Sequence, residues 1–151
     1  NTPNKNNDLL PLIAKLSDKY FLIHVGSKIS ENILNFENVD DSLLSALYQA
    51  SDVYISTSLD EGFGIPPIEA QKFGLPVVAR KLDIYNETMG KSYVNVIDFF
   101  KNINDWRNAI EYAIYHVDEY REKSIENAKK YSEEIFKENW KKQIKKWEGL
   151  V

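Results

Sequence analysis

Residues 51–80, SDVYISTSLDEGFGIPPIEAQKFGLPVVAR, decide how the rest of the chain is read. An apolar run, Val53–Ser56, leads into Thr57-Ser58-Leu59-Asp60-Glu61 and then Gly62-Phe63-Gly64. A helical pattern over Ile65–Phe73 opens on Pro66-Pro67 and closes at Gly74, and Pro76–Ala79 is apolar again. Proline suits the first turn of a helix and glycine the position past its end, so the stretch spells strand, glycine elbow, helix, strand. The glycines let the backbone turn tightly and approach a ligand. A helix start carries N–H groups without intrahelical acceptors and a partial positive charge, which suits a phosphate. The amides on offer are those of Phe63, Gly64 and Ile65, because Pro66 and Pro67 have none. Glu69, one turn into the helix, can face the same cleft. Beside a bound anion its natural partner is a pair of neutral hydroxyls such as a ribose diol, in charge-assisted bonds worth about 1.5–3 kcal/mol. Glu61, at the strand end, can take hydroxyls of the ligand's other half. An ordinary βα turn would leave Glu69 only complementing the helix dipole, worth about 0.3–1 kcal/mol. Two glutamates eight apart around the glycines, with the Gly74-x-Pro76 entry to the next strand, are more specific than Gly-x-Gly alone.

Outward from that segment, apolar runs alternate with helical patterns. Asn1–Asn7 reads as a loop and Asp8–Lys19 as a helix through Leu9, Leu12, Ile13 and Leu16. Tyr20–Val25 reads as a buried strand ended by Gly26, and Ile33–Phe36 as a shorter one. Ser42–Ala50 is a helix that Asp40, Asp41 or Ser42 can cap. Tyr93–Ile97 is a further strand. Helices follow from Ile103 to Val117, over Glu119–Lys130 and over Glu133–Trp147. Strand and helix in alternation, with short connections, mean a parallel sheet with helices on both faces and a helical C-terminal segment. Ligands in such sheets bind at the carboxyl ends of the strands.

The length of 151 residues fits one domain with a real core. With no cysteine there is no thiol nucleophile, disulfide or thiolate metal site. His24 and His116 are too far apart in sequence for a His-rich zinc site, and no apolar run approaches the ~20 residues needed to span a bilayer. The net charge of −4 argues against a general nucleic-acid binder. From Arg121 to Glu148, nine basic residues face six acidic ones. The plain reading of that tail is a solvated helix face, and the sharper one is contact with an anionic membrane surface or a neighbouring domain. His24, in an apolar strand, reads as a core residue with satisfied nitrogens, and Trp106, Trp140 and Trp147 as packing anchors. Arg80 and Lys81 read as surface residues that could also face phosphates, and Glu87 as a brace or a local cap.

The elbow resembles the Glu-x7-Glu motif region of retaining glycosyltransferases of the GT-B fold, of the family 4 or group 1 type. KYFLIHVG (19–26) resembles that family's second strand, SLLSALYQASDVYISTS (42–58) the stretch leading to the motif, and AQKFGLPVVAR (70–80) the strand after it. Tyr85-Asn86-Glu87-Thr88-Met89-Gly90 resembles a later turn. The resemblance implies that residues 1–151 are one Rossmann-like domain binding a nucleotide diphosphate sugar, with helices over about 103–148. It also implies an N-terminal acceptor domain outside this chain, and a first strand of this domain before Asn1. Glu61 would be catalytic at the donor hexose. Gly62, Phe63, Gly64 and Ile65 would hold the hexose and distal phosphate, and Glu69 the ribose. Lys5, in Asn4-Lys5-Asn6, resembles a lysine that neutralises the diphosphate. As a departure from the family, no arginine precedes Lys5. Gly26, Ser27 and Val39 are candidates for lining the nucleotide pocket, although Gly26 and Ser27 suit a plain turn equally.

No Asp-x-Asp occurs in the chain, so the expected site uses amides and Lys in place of a metal, and no cofactor is expected. The implied reaction is hexosyl transfer to an acceptor hydroxyl with retention, the isolated domain being inactive alone. The acceptor, whether glycan, lipid or protein, is not read from the residues. The expected location is cytoplasmic, with the basic tail as a candidate for peripheral membrane contact. Alternatives are a GT-B phosphorylase or epimerase, a non-catalytic nucleotide-binding module, or a receiver-like domain. The last requires a strand-end acidic cluster that the first half lacks.

Overall fold

The structure is a computed structural model that describes residues 5–96 and 102–148. Its elements are α1 (Leu10–Ile13), β1 (Ile23–Val25), β2 (Leu34–Phe36), α2 (Asp41–Gln49), β3 (Tyr54–Ser56), α3 (Ile65–Lys72), β4 (Val77–Arg80), α4 (Asp83–Thr88), β5 (Val94–Val96), α5 (Ile103–Tyr115), α6 (Val117–Lys129) and α7 (Glu133–Glu148). A single turn of 3-10 helix, Asn7–Leu9, precedes α1.

All strand pairs are parallel, in two ladders: β1 with β2, and β3-β4-β5. The two-residue period of a strand sends neighbouring side chains to opposite faces. Val78 therefore enters a cluster with Val94, Val96, Trp106, Ile110 and the α1 residues Leu10 and Ile13. Val77 and Ala79 enter another with Ile68, Ala70, Tyr85, Met89 and Tyr93. Helices thus cover both faces of β4, as a parallel sheet requires.

The caps follow their chemistry. The Asp40 side chain accepts from the Leu43 amide at 2.8 Å, which settles the start of α2 among its three candidates. Asn102 does the same for α5 from Asn104. Buried polar side chains join α3 to α6. Asn127 Nδ2 donates to Gln71 Oε1 at 2.7 Å and to Thr88 O at 3.0 Å, and Gln71 Nε2 donates to Ser92 O and Oγ. Ser124 Oγ donates to Leu75 O.

Several expectations are corrected. The helix expected over Asp8–Lys19 shortens to the 3-10 turn and α1, because the chain leaves helical bonding after the Ala14 cap. The Tyr20–Val25 strand shrinks to Ile23–Val25 and is not buried. Phe21 and Val25 are exposed, since among the described residues this ladder has two strands and incomplete cover. The Tyr85–Gly90 turn is helix α4 with its cap, and Gly90 at φ 57 ends it. His24 is half-buried, with Asn35 as the polar neighbour of its ring and no solvent reaching its Nδ1. Trp106 is a fully buried anchor, but Trp140 is 48% exposed on α7, and the Trp147 side chain lies outside the described residues. Ile97, expected in β5, also lies outside them, as do Asn1–Asn4. Arg80 is half-buried, while Lys81 and Glu87 are exposed. Basic side chains of α6 and α7 form ion pairs one helical turn apart, among them Lys123–Glu119, Lys137–Glu133 and Lys142–Glu138, as a solvated face does.

Candidate functional site

The elbow follows β3 at its carboxyl end. Ser56, Thr57 and Ser58 are buried there, and Gly62, Phe63 and Ile65 are exposed. Gly64 caps α3 at φ 80, a left-handed conformation that costs an L side chain strain. Its missing Cβ matters twice over, because a Cβ there would stand 2.5 Å from Tyr85 Cε1. A Cβ at Gly62 would meet nothing within 4 Å, so that glycine keeps open space in front of the elbow. The α3 ladder begins with Ile68 N–H donating to Gly64 O, and among the described residues no acceptor takes the amides of Phe63, Gly64 or Ile65. The Phe63 ring is steadied edge-on against Tyr131 at 5.4 Å between centroids.

Glu61 is held from two sides. Ser58 Oγ donates to its Oε1 at 2.8 Å, and Lys5 Nζ donates to the same oxygen. Both bonds fall on Oε1, and among the described residues no hydrogen bond falls on Oε2. Lys5 is fixed by its backbone as well, since Thr57 Oγ1 donates to Lys5 O at 2.8 Å. Lys5 and Glu61 thus meet although 56 residues separate them, with side chains 44% and 14% exposed.

Glu69 is half-buried on α3, next to Tyr48 of α2. Burial, then the negative charge of Glu69 and a hydrogen bond to it, push the Tyr48 hydroxyl up to about 12. The Tyr48 ring stacks on Phe73 at 5.2 Å. Burial also holds the Tyr54 hydroxyl above its usual range, with lesser help from Tyr48, Tyr85, Glu61 and Glu69. Both glutamates therefore lie within electrostatic reach of one hydroxyl and share a neighbourhood.

The structure brings together Lys5, Glu61, the elbow and Glu69. Gly26 and Ser27 follow β1, and Val39 follows β2. Gly26, at φ 141, donates its amide to Phe36 O, which carries the β1–β2 ladder one bond further. Sequence reasoning missed Ser56, Ser58, Tyr48 and Tyr85. The run of small hydroxyls at the end of an apolar strand was the available signal. No group of three His, Asp or Glu among the described residues could hold a metal ion, and no helix among them is long and apolar enough to cross a membrane. A broad depression of about 660 Å³ beside α6, lined by Lys91, Lys123 and Glu126 among others, shares no residue with the elbow.

Residues 17–131 match the family described as glycosyl transferases group 1. The O-antigen chain mannosyltransferase RfbU of Salmonella typhimurium is 33% identical over 89 residues, covering 58% of this chain and 24% of that protein. A glycogen synthase of Clostridium botulinum is 29% identical over 123 residues, 72% of this chain and 24% of the enzyme. Among solved structures, the GtfA/B complex superposes with a TM-score of 0.78 at 20% identity, covering 97% of this chain and 34% of that one. The pneumococcal O-GlcNAc transferase GtfA with UDP and GlcNAc gives 0.72 at 20% identity, over 95% of this chain and 33% of that one. The chain therefore spans about a quarter of these two relatives' length and a third of these solved chains.

Proposed function

The chain belongs to the glycosyl transferases group 1 family, and from that membership we propose that its elbow holds the nucleotide diphosphate sugar donor of a GT-B hexosyltransferase. The observation that carries this reading is the elbow itself. Amides with no acceptor among the described residues flank a left-handed glycine, between two glutamates in sequence, the first of which holds a lysine.

In this reading the amides of Phe63, Gly64 and Ile65 take the distal phosphate, and Lys5 turns from Glu61 to the diphosphate. Glu61 Oε2 accepts hexose hydroxyls, Glu69 accepts the ribose diol, and Gly62 leaves room for close approach. In the transfer, the bond from the anomeric carbon to the distal phosphate oxygen breaks and one to the acceptor oxygen forms. The acceptor's proton leaves with the diphosphate. Charge grows on that leaving group, so donors already aimed at it act mainly on the transition state. The proposed outcome is retention, with no metal or cofactor. The acceptor, a glycan, lipid or protein, would be bound by an N-terminal domain of the longer protein, in keeping with the relatives' greater length. The chain alone would then bind donor without turnover. The reading puts the enzyme in the cytoplasm, with the lysines of α7 available to an anionic membrane face.

Calorimetric titration of this chain with UDP, GDP, ADP and their hexose conjugates tests the reading. Binding of one nucleotide series, unchanged by EDTA and lost in Gly64→Val, is expected. Failure of every series to bind would overturn it.

A further inference from the structure

We infer that Tyr85 of α4 is a positioning residue of the donor site, its ring supporting the elbow and its hydroxyl aiming Glu61. This rests on the donor reading above and goes further, because neither the motif spacing nor the family match assigns Tyr85 a role.

Tyr85 is wholly buried. Its ring edge occupies the space that a Cβ at Gly64 would need, 2.5 Å from Cε1 and 3.2 Å from Cδ1, so the ring is the floor on which the elbow rests. Its hydroxyl lies 2.9 Å from Ser56 Oγ, across 29 residues of sequence. Ser56 Oγ points on to Ser58 Oγ at 3.5 Å, and Ser58 Oγ donates to Glu61 Oε1 at 2.8 Å. Burial keeps the phenol protonated well into alkaline pH, so it can serve as donor to Ser56. With Tyr85 donating, every hydroxyl in the row donates toward Glu61, and hydrogen bonds aligned in this way strengthen one another. The row ends on Oε1, which leaves Oε2 aimed outward.

Ring and hydroxyl should therefore separate by experiment. Tyr85→Phe keeps the floor and removes the first donor, so Ser56 and Ser58 are freed to rotate and Glu61 loses its fixed direction. Phosphate contacts at the elbow survive, and the hexose contact does not. The measurement is titration of this chain with UDP and UDP-glucose, GDP and GDP-mannose, and ADP and ADP-glucose, using the pair that the wild type binds best. In Tyr85→Phe the dissociation constant of the nucleoside diphosphate should stay within about twofold. The ratio of the sugar-nucleotide constant to it should rise about tenfold. Ser58→Ala, which removes the last donor directly, should reproduce that ratio and serves alone if Tyr85→Phe fails to fold. Tyr85→Leu should weaken the nucleoside diphosphate itself.

Equal weakening of both ligands in Tyr85→Phe, or an unchanged ratio in Ser58→Ala, would overturn the inference and leave the donor reading intact. If the wild type binds no pair, the donor reading falls and takes the inference with it.

Discussion

Lys5 donates to Glu61 Oε1, joining a residue ahead of the first helix to the end of β3, 56 positions later. The pair is lopsided: Glu61 is nearly enclosed, whereas almost half of the Lys5 side chain meets solvent. The contact therefore contributes little to folding, about 0–1 kcal/mol as for other solvent-screened pairs. It holds a cation beside Glu61, and in the proposed reading that cation turns to the diphosphate.

Lys5→Ala should accordingly leave the thermal midpoint almost unchanged and weaken nucleoside diphosphate binding about tenfold or more, as the loss of one charge-assisted bond does. Glu61→Gln should spare the nucleoside diphosphate and weaken its hexose conjugate. Calorimetry on both variants reads the split, and a Lys5→Ala protein that binds as the wild type does would remove Lys5 from the site.

The two elbow glycines should respond differently to alanine. At Gly64 a methyl group meets the Tyr85 ring and φ 80 resists it, so Gly64→Ala should cost about 1–3 kcal/mol and lower the thermal midpoint by several degrees. At Gly62 the methyl group meets nothing, so stability should stay within about 0.5 kcal/mol. Donor binding should still fall there, because the proposed donor would occupy the open space at Gly62. Calorimetry and thermal denaturation run side by side separate the two effects.

Asn127 bridges α6 to α3 and α4 with both of its amide hydrogens. Asn127→Ala leaves Gln71 Oε1 buried without a donor, while Thr88 O keeps the Tyr131 hydroxyl, and should cost about 1–3 kcal/mol in urea denaturation. A loss within 0.5 kcal/mol or so, the range of ordinary surface changes, would mean that water replaces the side chain.

Tyr48 makes stability depend on alkaline pH. Its folded pKa of about 12 exceeds the unfolded value of 10.0, so the folded state holds the proton more tightly. That contribution is complete below pH 10.0 and is lost as pH rises toward about 12. Denaturation curves across that window should show falling stability, and Tyr48→Phe should flatten the fall. Buried Tyr54 and Tyr85 shift in the same direction and will leave part of the slope in place. Equal slopes in wild type and variant would show that Tyr48 is not the group responsible.

The alternation of elements was legible because periods of 2 and 3.6 residues write themselves into apolar spacing. The elbow was legible because its glycines, prolines and glutamates are neighbours in sequence. Helix α4 was not: six residues, DIYNET, are too few to display a period, and it is held by burial of Tyr85 and Thr88. The exposure of Phe21 was hidden too, since a strand's apolar run carries no record of what covers it.

Composition and local pattern, by themselves, settled that this chain is an α/β domain whose glycine elbow opens a helix between two acids. Such features depend on dihedral preferences and side-chain chemistry within a few residues of one another. Tertiary packing alone decided that Lys5 reaches Glu61, that Tyr85 lies beneath Gly64 and that Tyr48 lies against Glu69. Such contacts join residues far apart along the chain, and no local preference encodes which of many distant partners will share one buried space.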